Sequence, residues 1–296
     1  MIEMQKILMI RFPNNPNAVQ HFGTLLEEYR NSGLASPNLD NELMTQEHKK
    51  FWSIIWEACL YRHLKSLGFA FDMNKARKSG QNGPDFSVIS SGKKIWVEAI
   101  VPEPIGISEE YLRTPSYNPT KLECKTEPHE KKLLRWTSAI KEKKEKFAKY
   151  IRDGVISKND CTIIAVNSCC LQDFAFDDSG ISGLPYVVEA TFPIGPRAIP
   201  LNRQGQQVAP EQNLWRSVLL NKNDAPVPTN NFFDENYKHI SAVLGTHQRG
   251  MFNEQLHLSL VHNPLAVNPL PEKIMSATNE LACDLSEAEF TLRRLS

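Results

Sequence analysis

Two carboxylates in an otherwise apolar stretch are the residues most able to do chemistry in this sequence. Asp85 precedes the apolar run 86–89, and Glu98 lies inside the second apolar run, 95–101. A buried carboxylate is costly unless a cation or donors compensate it, and two neighbouring carboxylates repel each other unless a divalent metal binds between them. A metal site is therefore one hypothesis. The alternative is that Glu98 faces solvent on a half-exposed strand and that Asp85 merely begins a turn.

The elements around these acids are predicted to be a β-hairpin and two helices. Ser90-Ser91-Gly92 separates the two apolar runs as a tight turn, so the carboxylates lie on paired strands. Before the hairpin, apolar residues recur at three- and four-residue steps over 42–67, which predicts a helix that Gly68 ends. Glu57 lies within this helix, where a surface charge on the helix flank is the ordinary interpretation.

The second strong helix is predicted over 130–152. At about 100° per residue, Lys143 and Lys144 fall on either side of its apolar line, whereas Arg135 lies round the back. Lysines beside an apolar stripe often extend along it only to reach water, which is the alternative to a role in a site.

Positive charge is concentrated around this helix. The chain as a whole has a formal net charge of zero, yet residues 121–158 hold 12 Lys and Arg against 6 Asp and Glu. The local excess favours a surface that faces phosphates, and a solvated helix is the competing explanation.

Composition indicates a soluble, cytoplasmic globular protein without a membrane partner. The 296 residues are 41% apolar and 23% charged, and no run of about 18 apolar residues occurs. The first ten residues are too short and too charged for a signal peptide. Six cysteines include no CxxC pair, and the adjacent Cys169 and Cys170 suit neither an ordinary disulfide nor a zinc site, so reduced thiols are expected.

The remaining elements are assigned from shorter patterns. A strand is predicted over 7–10, a helix over 18–30 and a strand over 69–73, while residues 103–130 form a long connection. Further strands are predicted over 161–166, 186–192, 240–244 and 256–262, and an amphipathic helix over 271–281. Strands and helices in this order predict a mixed sheet with helices packed on it. Residues 171–296 have no functional interpretation.

The order of these features resembles the core of the PD-(D/E)xK nuclease superfamily, which includes many restriction-type endonucleases. The resemblance covers residues 42–170 and rests on Pro84-Asp85, on Val97-Glu98-Ala99-Ile100 and on the helices around them. It implies an α/β fold with a restriction-endonuclease-like mixed central sheet flanked by helices, with C-terminal additions. The expected divisions are a 1–40 N-terminal extension, a 41–170 core, 171–265 strands and loops that complete the same domain, and a 266–296 tail with a helix.

The resemblance also implies a function and roles for individual residues. A metal-dependent nuclease is expected, which hydrolyses phosphodiester bonds in DNA rather than RNA and acts in defence, restriction or repair. Asp85 and Glu98 would ligate Mg²⁺ or Mn²⁺, with Glu57 as a further ligand or a partner of metal-bound water. Arg135 and Lys141 would contact the nucleic acid. Nucleases that cut both strands are often dimers, so a homodimer is one expected state.

The sequence departs from the family pattern at one position. The lysine that usually follows the strand glutamate by two residues is replaced by Ile100. In some relatives the following helix supplies this lysine, and Lys143 is the preferred candidate here, with Lys144 as the other. The alternative is a catalytically degenerate module that binds nucleic acid or a protein partner.

Overall fold

The computed structural model describes residues 2–45, 47–72, 83–90, 92–112, 127–171, 179–249, 256–286 and 289–295. Within these ranges the helices are α1 (Ile2–Arg11), α2 (Pro16–Asn31), α3 (Leu39–Met44), α4 (His48–Ser66), α5 (His129–Arg152) and α6 (Tyr186–Glu189). The strands are β1 (Ala70–Phe71), β2 (Phe86–Ser90), β3 (Lys93–Ile100), β4 (Cys161–Asn167), β5 (Ile194–Ala198), β6 (Gln212–Trp215), β7 (Val218–Leu220), β8 (Pro226–Pro228), β9 (Ala242–Thr246), β10 (Ser259–His262), β11 (Asn279–Leu285) and β12 (Phe290–Arg294). Ser91 of the predicted turn, Met73 and residues 113–126 of the predicted connection lie outside the described residues.

A mixed sheet of eight strands forms the centre of the fold, in the order β1-β2-β3-β4-β9-β10-β11-β12. The strands β3, β4 and β9 run parallel, and the hairpin of β2 and β3 is antiparallel. Helices cover both faces of this sheet, as the two buried clusters below demonstrate. The prediction of an α/β chain with a mixed central sheet flanked by helices is confirmed.

Alternate residues of β3 face two different helical layers. Val97 and Ala99 belong to the cluster that contains buried residues of α1 to α4, whereas Trp96 and Ile100 belong to the cluster that contains those of α5 and α6. Because side chains alternate along a strand, Glu98 faces α5. Parallel strands covered on both faces have nearly continuous apolar sequences, which explains the 95–101 run around this carboxylate.

The first part of the chain is more helical than the sequence pattern indicates. The predicted strand over 7–10 is wrong, because these residues lie in α1, where Met4 and Leu8 share one helix face and are buried. The predicted helix over 42–67 is two helices, since Thr45 is extended between α3 and α4. The α1 and α2 helices contribute to the same buried cluster as α4.

The predicted helix over 271–281, and with it the helix assigned to the 266–296 tail, is wrong. Lys273 and Ser276 have φ of 62° and 44°, which a right-handed helix does not allow. The β11 strand follows instead and pairs parallel to β10, so the tail extends the central sheet. The predicted strand over 186–192 is also wrong, because α6 begins after Pro185. None of the helices in the described part of the chain is long and apolar enough to span a membrane.

Candidate functional site

The hairpin of β2 and β3 places Asp85 beside Glu98. Phe86 pairs with Val97 at the open end of the hairpin. One residue further from the turn, Asp85 therefore lies opposite Glu98, on the face toward α5. The Oδ2 atom of Asp85 accepts a hydrogen bond of 2.7 Å from the backbone N–H of Ala99. This bond fixes the aspartate at the mouth of the hairpin, next to the strand that carries the glutamate.

Two lysines of α5 reach the same glutamate from above the sheet. The Nζ atoms of Lys143 and Lys146 lie 2.8 Å and 3.2 Å from Oε1 of Glu98. Residues three apart share a helix face, so both ammonium groups approach from one side. Glu98 is 2% exposed and Lys143 7%, whereas the side chain of Lys146 is 46% exposed. The site is therefore a buried ion pair with a second cation at its solvent edge.

The second carboxylate oxygen of Glu98 differs from the first in its surroundings. Oε2 of Glu98 is buried and has no hydrogen-bond partner among the described residues. Buried carboxylate oxygens normally have a donor or a cation beside them, because an unsatisfied one costs desolvation free energy. An orphaned acceptor next to a second carboxylate marks a position that a cation would satisfy.

Burial and the nearby charge of Asp85 raise the pKa of Glu98, and the ammonium groups of Lys143 and Lys146 oppose that shift. Burial alone would lower the pKa of Lys143, but the charges of Glu98 and Asp85 outweigh it and raise this pKa above its ordinary value. The lysine is therefore charged at neutral pH, and the two carboxylates retain mutual repulsion that a further cation would relieve.

The donor set fits a magnesium-type ion with few protein ligands. Mg²⁺ takes oxygen ligands, keeps several waters and is usually bound through one or two carboxylates together with substrate phosphates. Asp85 and the orphaned oxygen of Glu98 supply that number of carboxylates. The described ranges contain no group of three or more His, Cys, Asp or Glu side chains that could hold a metal ion. A ligand set made wholly of protein side chains is thus absent from the described part of the chain.

Glu57 is not brought together with these two acids. It lies on α4, whose buried residues belong to the cluster on the opposite face of the sheet from α5. One of its carboxylate oxygens, Oε2, accepts a hydrogen bond of 2.8 Å from the hydroxyl group of Tyr29. This contact joins α4 to α2, which is a structural role.

The other basic residues selected from the sequence point elsewhere. Nζ of Lys144 lies 5.2 Å from the ring centroid of Tyr237, away from Glu98. Arg135 donates from Nε to the backbone oxygen of Glu103 at 2.7 Å, so its guanidinium holds the chain that follows β3. Lys141 is exposed on α5.

Ile100, which replaces the usual strand lysine, lies in apolar surroundings in the structure. Ile100 shares the face of Glu98, is 8% exposed and packs in the cluster beneath α5. Lys143 therefore reaches the glutamate from the helix, while the strand supplies no cation at Ile100. Lys146 was missed from the sequence, although its spacing of three residues from Lys143 is a signal that it shares the same helix face.

Comparisons of this chain with protein-family models, with curated proteins and with solved structures find no match.

Proposed function

We propose that this chain is a Mg²⁺-dependent nuclease, with Mn²⁺ as a substitute ion, that hydrolyses phosphodiester bonds in nucleic acid, and that DNA is its favoured substrate. The observation that carries the proposal is the cluster of Asp85, Glu98 and Lys143, in which one buried oxygen of Glu98 has no hydrogen-bond partner within the described ranges. Two carboxylates beside a cation are the groups that metal-assisted phosphodiester hydrolysis requires.

The arrangement of elements also supports the resemblance to the PD-(D/E)xK core. The acids lie on an antiparallel hairpin, the next helix covers them, and the following strand β4 runs parallel to β3. Where that family usually has a strand lysine, this chain has Ile100, and Lys143 lies against the glutamate instead. This is the geometry expected of a relative whose lysine comes from the helix.

Each side chain has a distinct task in the proposed site. Asp85 and Glu98 present carboxylate oxygens, and the bond from Ala99 orients the aspartate. A bound Mg²⁺ would polarise the scissile phosphate and lower the pKa of its bound water. The ammonium group of Lys143 orients Glu98 and offers its other N–H groups to negative charge that develops on the phosphate. Lys146, at the solvent edge, attracts the phosphate backbone.

The direct test is cleavage of supercoiled and linear DNA with Mg²⁺ or Mn²⁺, with and without a chelator. The proposal predicts metal-dependent nicking by the wild-type chain and its loss in Asp85→Ala and Glu98→Gln. Lys144→Ala is the matched control, because it removes a neighbouring lysine whose ammonium group lies over Tyr237. Equal nicking by the wild type and Asp85→Ala would remove this aspartate from the mechanism.

A second candidate function is a nucleic-acid-binding module that has the fold without the chemistry. Two observations favour it: Lys143 and Lys146 both bond to Glu98, and no third ligand-type side chain joins the two acids among the described residues. Calorimetric titration with Mn²⁺ separates the two functions. No heat of binding from a folded chain that still binds DNA would select the binding module.

A further inference from the structure

A second chemical site lies at the end of β4, where the chain runs through Cys169 and Cys170. The sulfur of Cys170 lies 3.6 Å from Nδ1 of His48, the first residue of α4. Arg249, which follows β9, donates to the backbone oxygen of Cys169 at 3.5 Å. The nuclease proposal uses none of these residues, so this cluster needs its own explanation.

Hydrogen bonding fixes which nitrogen of His48 carries the proton. The indole N–H of Trp52 is only a donor, and it points to Nε2 of His48 at 3.0 Å. Nε2 must therefore accept, so neutral His48 carries its proton on Nδ1, which faces the sulfur of Cys170. The histidine thus acts as a hydrogen-bond donor toward this sulfur, which favours the thiolate over the thiol.

The surroundings favour negative charge on Cys170 and oppose it on its neighbours. Hydrogen bonding from the Cys169 thiol, the largest influence, together with His48 and Arg249, lowers the pKa of Cys170 to about 6 against the effect of burial. Burial raises the pKa of Cys169 well above its ordinary value, with Cys59 and Cys170 adding to the shift, so Cys169 stays a protonated donor. The N-terminus of α4 adds partial positive charge from its backbone.

Access to the sulfur is narrow but present. Cys170 is 6% exposed, whereas its partner His48 is exposed at the start of α4. Because so little of Cys170 is exposed, a small uncharged reagent is favoured over a bulky or strongly charged one. Peroxides fit both requirements, since they are small, neutral and reactive toward thiolates.

We propose that Cys170 is a nucleophilic modification site that reacts with a small uncharged peroxide, such as hydrogen peroxide, to form a sulfenic acid. The Cys170 sulfur attacks one peroxide oxygen, so an S–O bond forms as the O–O bond breaks. The sulfur is oxidised by two electrons, and the second oxygen leaves as hydroxide, which becomes water by taking up the proton that the thiol released when it ionised. The reacting oxidant is the peroxide itself, and no further co-reactant is needed.

Cys283 is an internal control for this proposal. It is more exposed than Cys170, but burial and Asp284 raise its pKa to about 12. Accessibility alone therefore predicts that Cys283 reacts first, whereas thiolate content predicts Cys170. After allowance for the lower nucleophilicity of a low-pKa thiolate, Cys170 is expected to react about a hundredfold faster at pH 7.

The first experiment treats the full folded chain with limiting hydrogen peroxide at pH 7, then unfolds it in the presence of dimedone so that every sulfenic acid is reached, and locates the adduct by peptide mass spectrometry. Cys124, which lies outside the described residues, is replaced in a Cys124→Ser background. At least about tenfold more adduct on Cys170 than on Cys283 is expected, a margin that allows for the deeper burial of Cys170. Equal labelling of the two, or faster labelling of Cys283, would overturn the proposal.

The second experiment follows the rate of iodoacetamide alkylation of Cys170 against pH. The wild-type midpoint is expected near pH 6, and His48→Leu is expected to move it upward by about one pH unit or more, because a donor to the thiolate is lost. His48→Gln keeps an N–H donor and is expected to shift the midpoint less. An unchanged midpoint in a folded His48→Leu chain, or no alkylation of wild-type Cys170 between pH 5 and 9, would overturn the proposal.

Discussion

Replacing Lys143 by methionine tests whether the buried ion pair with Glu98 is as strongly coupled as its geometry implies. Methionine keeps the aliphatic stem but removes the ammonium group that lies 2.8 Å from the carboxylate. Glu98 would remain buried with Lys146, a half-exposed cation, as its lysine partner and with Asp85 still repelling it. Breaking a buried pair in this way costs about 3–5 kcal/mol of unfolding free energy.

The same variant should show a pH dependence with a defined sign. The pKa of Glu98 is raised in the folded chain, so the folded state binds this proton more tightly than the unfolded state. As the pH falls through that raised pKa, protonation removes the unpaired charge and the cost of Lys143→Met should shrink. The raised pKa of Lys143 means that the wild-type pair is kept up to alkaline pH and is lost only as the pH rises through that pKa.

Urea unfolding at pH 8 and at pH 5 measures both effects. Lys144→Met is the control on the same helix, and loss of its contact with the ring of Tyr237 should cost only about 0.5–1 kcal/mol. The double variant Glu98→Gln with Lys143→Met removes both charges and should recover most of the lost stability. If Lys143→Met costs no more than Lys144→Met at pH 8, the argument for a coupled buried pair is refuted.

Three further predictions follow from single contacts. Glu57→Gln keeps an acceptor for Tyr29 and lies outside the two-carboxylate site, so the rate of DNA cleavage should stay within about threefold of wild type. A loss of cleavage as large as that of Asp85→Ala would mean that Glu57 belongs to the site. Lys141→Ala removes an exposed charge of α5, so DNA affinity should fall similarly for all DNA sequences. The slope of log affinity against log salt concentration should decrease in magnitude by about one, and an unchanged slope would mean that the nucleic acid binds elsewhere. Gly245→Ala adds a methyl group 2.8 Å from the ring of Trp136, so the free energy of urea unfolding should fall by about 1–3 kcal/mol. An unchanged unfolding midpoint would mean that the Trp136 ring moves aside without cost.

The hairpin and the helix after it could be predicted because their signals are local. The apolar runs, the turn ending at Gly92 and the three- and four-residue spacing along α5 each lie within one short stretch. The short apolar runs at 7–10 and 186–192 gave the wrong element, since a few apolar residues fit a strand or one face of a buried helix equally well. The positive φ angles of Lys273 and Ser276 and the β11 strand, which begins at Asn279, exclude the helix expected near the end of the chain.

The choice between the lysines of α5 also depended partly on the sequence and partly on the tertiary structure. Helical angle placed both Lys143 and Lys144 beside the apolar line, and that information could not choose between them. The packing of α5 against the sheet decides that Lys143 and Lys146 contact Glu98 while Lys144 lies over the ring of Tyr237.

The sequence by itself therefore predicted that Asp85 and Glu98 lie on paired strands, because the turn and the two neighbouring apolar runs indicate a hairpin. The register that sets the two acids opposite each other is seen in the structure. Tertiary structure decided everything that depends on which layer covers which face. It set Glu57 on α4, whose buried residues lie on the far side of the sheet from α5, and brought His48 to Cys170 across 122 positions of the chain. Among the described residues it also left one oxygen of Glu98 without a hydrogen-bond partner. These contacts join segments distant in sequence, and no local pattern encodes the packing that brings them together.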